Sequence, residues 1–111
     1  MYQIELADAN DFVTKVTLDG DIYYLHFAWS GTMWTLDVRD SNNIDIVRGI
    51  AVRANYPLLL PYSRLLPLKG QLLVIINAKD LDITRSDFVE GRAKLVYMTA
   101  EEVEAIATSI S

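Results

Sequence analysis

The stretch that most constrains the fold is residues 33–52. Trp34, Leu36 and Val38 alternate with Thr35, Asp37 and Arg39. That period of two puts three large apolar side chains on one face of a strand and polar groups on the other. Ser41-Asn42-Asn43 follows, and asparagine tolerates the left-handed backbone that tight turns need. Alternation then resumes, with Ile44, Ile46, Ile50 and Val52 sharing one parity and Arg48 among them. Strand, short polar turn, strand is the pattern of a β-hairpin.

The flanking segments repeat the pattern. Tyr2, Ile4 and Leu6 alternate with Gln3 and Glu5, which predicts a first strand. Phe12, Thr14, Val16 and Leu18 predict a second, and Asp19-Gly20-Asp21 a hairpin turn into a third over residues 22–29. The third strand is apolar on both faces, with Ile22, Tyr24, His26 and Ala28 on one and Tyr23, Leu25, Phe27 and Trp29 on the other. An antiparallel sheet with one wet face shows a polar side. The second face is therefore expected to meet another layer or another subunit.

Residues 53–70 carry Pro57, Pro61 and Pro67 and cannot form one good helix. An irregular connection with at most one helical turn is expected. It is unusually apolar for a loop, so Leu58, Leu59, Leu60, Leu65 and Leu66 are read as capping an open sheet end or touching a partner. The run Leu72 to Ile76 reads as a central strand buried on both faces. Residues 79–92 read as a polar loop with at most a helical turn, and residues 93–98 as the last strand. Thr99-Ala100-Glu101-Glu102 fits a capping box, with Met98 and Val103 at the staple positions. Val103, Ile106 and Ile110 would share one face of the short helix that follows. These elements predict an all-β fold: a single domain over 1–111, an antiparallel barrel or sandwich of about seven strands with a short C-terminal helix.

Composition narrows the functions. The chain has 111 residues, 51% of them apolar, enough for a core without cross-links. It has no cysteine, which excludes disulfides and thiolate metal sites. A net charge of −5 repels phosphate, so no specific nucleic-acid binding is expected. No apolar run is long enough for a transmembrane helix, and the residues MYQIELADAND do not read as a signal peptide.

Little catalytic chemistry is legible. His26 is the only histidine; it lies mid-strand among aromatics and is read as structural. Asp80, Asp82, Asp87 and Glu90 cluster in one loop. An EF-hand starting at Asp80 would have Arg85 where glycine is needed and Gly91 where glutamate is needed, so a solvated loop is the better reading. The glycines stand singly and make no phosphate cradle. No catalytic residue, metal ligand or cofactor is assigned, and the chain is not expected to be an enzyme.

The order WTLDVRD, polar turn, IVRGIAV, YPLLLPYSRLL, KGQLLVI, acidic loop and KLVYMTAEE resembles the baseplate plug proteins of simple contractile-tailed phages such as cyanophage myoviruses. The resemblance covers about residues 30 to 100. It rests on Trp34 and Asp37 before the turn, Gly49 after it, and the group Leu58, Leu59, Pro61 and Tyr62. Gly70 before an apolar strand, Leu95 and Tyr97 complete it. The Ser41-Asn42-Asn43 turn departs from the glycine-containing turn expected of such proteins. The resemblance implies a structural virion protein in the tail baseplate, made in the host cytoplasm. It would sit on the tail axis, contact hub, spike or tail-tube proteins, and close the tube.

That implication joins the two apolar stretches into an expected interface: Tyr23, Leu25, Phe27, Trp29, Leu58, Leu59, Leu60 and Tyr62. A homo-oligomer follows, a trimer favoured and a hexamer the alternative. Other classes stay open. One is a monomeric small-ligand-binding barrel with a cavity lined by Tyr24, Trp29 or Trp34. Another is a phage assembly or regulatory domain.

Overall fold

In a computed structural model, which describes residues 2–62, 64–66, 70–76 and 82–110, seven strands form two antiparallel sheets. The strands are β1 (Tyr2–Ile4), β2 (Asp11–Leu18), β3 (Asp21–Trp29), β4 (Trp34–Arg39), β5 (Asp45–Ala51), β6 (Gln71–Ile76) and β7 (Ala93–Met98). Two helices complete the fold: α1 (Asp87–Glu90), a single turn, and α2 (Ala100–Ile110). One sheet runs β2-β3-β4-β5 and the other β1-β7-β6. The expected all-β class holds, and the arrangement is a two-sheet sandwich with no closed barrel.

Hairpin chemistry builds the four-stranded sheet. Leu18 pairs with Asp21 across a two-residue loop, and both Asp19 (φ 53°) and Gly20 (φ 85°) are left-handed. That is the mirror-image turn whose twist suits a hairpin. Between β4 and β5 the organiser is Asp40. Its carboxylate accepts the N–H groups of Asn42 (2.9 Å) and Ile44 (3.0 Å), and Asn43 adopts φ 63°. The asparagine reading of this turn holds.

Beyond the turn, strict alternation fails. Leu36 pairs with Ile50 but Val38 pairs with Val47, and Arg39 with Asp45, so β5 carries extra residues against β4. Gly49 sits at the first irregularity with φ 73°, a conformation that disfavours any other residue. The bulges shift parity. Val47 and Ile50 face the core, Ile46 is half-buried, and Ile44 and Arg48 are exposed. The single face expected for Ile44, Ile46, Ile50 and Val52 is thereby corrected.

The sheets pack through Leu18, Leu25, Phe27, Leu36 and Val38 on one side and Leu72, Val74, Leu95 and Tyr97 on the other, all essentially inaccessible to water. Each such side chain contributes about 1.5–3 kcal/mol by leaving water. The strand buried at every position but Lys94 is β7, in the centre of its sheet. β6 lies beside it with Leu72, Val74 and Ile76 inward and Ile75 exposed, so the expectation of a central β6 buried on both faces is corrected. The outer edge of β6 is covered by the chain leaving β5. Ala54 bridges Val74 in parallel, Asn55 N–H donates to Val74 O, and Leu58 N–H donates to Leu72 O.

The capping box forms as expected: Thr99 N–H donates to Glu102 Oε1 (3.1 Å) and Glu102 N–H to Thr99 Oγ1 (3.3 Å). The expected helical face includes Ile106 and Ile110, whose side chains lie outside the described residues, as does Asp80 of the acidic loop. Among the described residues no helix is long and apolar enough to cross a membrane.

Candidate interaction surfaces

The expected interface residues divide sharply. Tyr23, Leu25 and Phe27 lie on the inner face of β3, and Leu25 and Phe27 are fully buried. Phe27 stacks on Phe12 at 5.5 Å. Leu58 and Leu59 are buried too, held by Leu58 N–H to Leu72 O and Leu59 N–H to Gln71 Oε1 (3.1 Å). These five belong to the chain's own core. Taking the inner face of β3 as the spare one reversed the strand; its half-exposed face carries Tyr24, His26 and Ala28. The residues accessible to a partner are Trp29 and Tyr62, half-buried, and Leu60, which is 55% exposed in the 3-10 turn Leu60–Tyr62. Leu65 beside it is 62% exposed.

His26 is the residue whose surroundings the sequence hid. Register sets it opposite Asp37 on β4 and near the start of β2. Its Nδ1 lies 2.9 Å from Asp37 Oδ2 and its Nε2 2.7 Å from Asp11 Oδ1. A neutral imidazole has one donor, so one carboxylate would face a lone pair; the imidazolium satisfies both. The Asp37 hydrogen bond, helped by Asp11 and opposed by burial, raises the His26 pKa above its usual 6.5. Burial pushes Asp37 up, but the hydrogen bonds from His26 and from Gly49 N–H (2.8 Å) outweigh it and hold Asp37 below its usual range. The array therefore ties β2, β3, β4 and the β5 bulge together. With both ring nitrogens engaged, neither is free to accept a substrate proton in this arrangement. No sequence motif marks the array, because Asp11, His26 and Asp37 meet only through strand register.

A second ionic cluster organises the acidic loop. Asp87 is buried, accepts Thr84 N–H (2.7 Å), and pairs with Arg92 at 2.7 Å. Arg92 also donates to Asp82 O (2.8 Å). Burial raises the Asp87 pKa, and the Thr84 and Arg92 hydrogen bonds overcome it and lower the value. Asp87 thus serves an internal clamp. Among the described residues no group of three or more His, Asp or Glu side chains is placed to hold a metal ion.

An open cleft of about 630 Å³ lies between the β3–β4 turn, the chain leaving β5 and residues 82–84, lined by Trp29, Trp34, Val52 and Arg53 among others. Trp34 packs against Phe12, Trp29 and Phe88, and Arg85 lies over its ring. Its buried Nε1–H finds no acceptor. Tyr24 points to the other side of β3, so Tyr24, Trp29 and Trp34 do not line one cavity.

The family model described as "Cyanophage baseplate Pam3 plug gp18" matches residues 1–101. The match takes in β1 to β3, which the sequence resemblance did not use. No curated protein matches the chain.

Proposed function

The chain belongs to the cyanophage baseplate plug family, and on that premise we propose that it closes the tail tube from the axis of a phage baseplate, held by hub, spike or tail-tube proteins. The observation that carries this reading is a family match running from the first residue to the start of α2. The sandwich suits such a role. The histidine His26 and the buried carboxylate Asp87 are engaged in internal clamps, which favours a rigid body over a reaction centre at those two groups. A net charge of −5 suits a body that DNA passes without adhering. Trp29, Leu60 and Tyr62 are the proposed contacts to neighbouring subunits in the baseplate. A homotrimer is the expected assembly, matching a threefold axis, with a hexamer as the alternative.

The test is to assemble contractile tails with and without the protein. Tails that carry it should contain it in the baseplate by mass spectrometry, and cross-links should join it to a hub, spike or tube protein. Tails lacking it should leak or fail to seal. A baseplate that assembles, seals and injects normally without the protein would overturn the reading.

A further inference from the structure

The fifteen acidic residues are unevenly spread: none lies between Ile46 and Lys79. That segment holds Arg48, Arg53, Arg64, Lys69 and Lys79, five of the ten basic residues. It carries +5, and the rest of the chain, with five basic and fifteen acidic residues, carries −10. An acidic protein thus has one basic region, and the fold gathers part of it into a surface. Arg53, Tyr56, Pro61 and Tyr62 rim a depression of about 100 Å³, and exposed Leu60, Arg64 and Leu65 lie on the adjoining turn. Among the described residues neither Arg53 nor Arg64 has a carboxylate partner; Arg53 instead lies over the Tyr56 ring at 5.8 Å. Exposed leucines beside aromatics and arginines have the composition of a protein interface core.

The complementary surface is on the same chain. A groove of about 330 Å³ runs between residues 3–8 and α1. Leu6, Phe88 and Val89 supply apolar surface, with Val89 49% exposed; Glu5 and Asp8 supply carboxylates and Lys94 a cation, and Asp8 also pairs with Arg85 at 3.0 Å.

We propose that the Arg53/Leu60/Arg64/Leu65 knuckle of one copy docks into the Glu5/Asp8/Val89 groove of the next. The occupant of each surface is a second copy of this chain. Two different patches meeting make a head-to-tail contact, which closes into a ring when the rotation between copies divides a full turn. Opposite charges steer the encounter and set register, while the leucines supply the buried apolar surface. The inference deepens the oligomer part of the reading above and stands without its tube-closing part.

The test uses two double variants at exposed positions, Arg53→Glu with Arg64→Glu and Glu5→Lys with Val89→Lys. Light scattering and sedimentation would be run at 50 and 500 mM salt, with circular dichroism and melting as fold controls. Wild type should self-associate, and more weakly at high salt. Each variant alone should stay folded with its self-association Kd raised at least tenfold. Mixing the two should restore assembly that neither shows alone, because each variant keeps one intact face. Leu60→Ser, which changes no charge, serves as the second knuckle variant should a charge reversal unfold, and should also raise the Kd tenfold. A monomeric wild type, a folded knuckle variant that assembles like wild type, or a mixture that stays monomeric would each overturn the proposal. A baseplate lacking the protein would defeat the plug reading and leave this result untouched.

Discussion

The two sheets are held by different means. The four-stranded sheet is a run of consecutive hairpins, so each strand finds its partner through a short turn: Asp19-Gly20, residues 30–33, or Asp40 to Ile44. The three-stranded sheet joins residue 2 to residue 97 and residue 71 to residue 98, and Ile76 of β6 stands too far along the chain from Ala93 of β7 for a short hairpin turn. It depends on fitted long-range contacts. Gly70 lies against Tyr97 and the Met98 carbonyl, where a Cβ would overlap both. Tyr97 Oη–H donates to Asp19 Oδ2 at 2.7 Å, fastening the centre of one sheet to a turn of the other. The Asp87–Arg92 pair fixes the loop that delivers β7. Turn chemistry can be written locally; fitted contacts cannot.

That contrast can be broken at its strongest point first. Leu36→Ala on β4 and Leu95→Ala on β7 should each cost about 2–5 kcal/mol, as large-to-small core changes do, measured by denaturant unfolding. Equal costs would show that the sheets share one core; a near-zero cost at either would mean that strand is misregistered. Gly70→Ala should cost about 1–3 kcal/mol from overpacking, because the new methyl meets the Tyr97 ring and the Met98 carbonyl. Arg92→Met should cost about 1–3 kcal/mol by leaving the buried Asp87 carboxylate with Thr84 N–H but no cation. Hydrogen exchange should then speed up in β7 and not in β2 to β4.

The smallest expected effect is on the hairpin side and depends on pH. His26 has a raised pKa, so its stabilisation is fully present below about 6.5 and fades as pH rises through the folded value. Asp37 has a lowered pKa, so its contribution is present above about 3.8 and fades as pH falls through its folded value. Stability from the clamp should therefore be greatest between the two, and His26→Gln should flatten the alkaline side of that profile. An unchanged profile would show that the imidazolium does not form.

The same contrast explains what the sequence disclosed. The Asp19-Gly20 turn, the Thr99–Glu102 box and the bounds of β7 are written in neighbouring residues and were legible. The β5 bulge was not, because Gly49 reads as an ordinary strand glycine until its N–H is seen on Asp37. The inner face of β3 was misassigned because both faces are apolar in composition, and only the opposing sheet distinguishes them. The edge position of β6 and the clamp on His26 arise from pairings across the fold. Of the expected surface residues in the 53–70 connection, Leu60 is exposed and Tyr62 half-buried, while Leu58 and Leu59 are buried, a division that only the packing against β6 decides.

The segment that covers β6 has a consequence for solubility. Leu72 to Ile76 is a five-residue run of leucine, valine and isoleucine with no charge and no proline, the composition from which stacked cross-β fibrils nucleate. Its open edge would be a template for identical strands from other chains. Ala54, Asn55 and Leu58 occupy that edge from within the molecule. Loosening them, as Leu58→Gly would, should yield a protein that binds thioflavin and sediments at concentrations where wild type stays clear. Residues 54–58 would thus act as a guard against fibre growth.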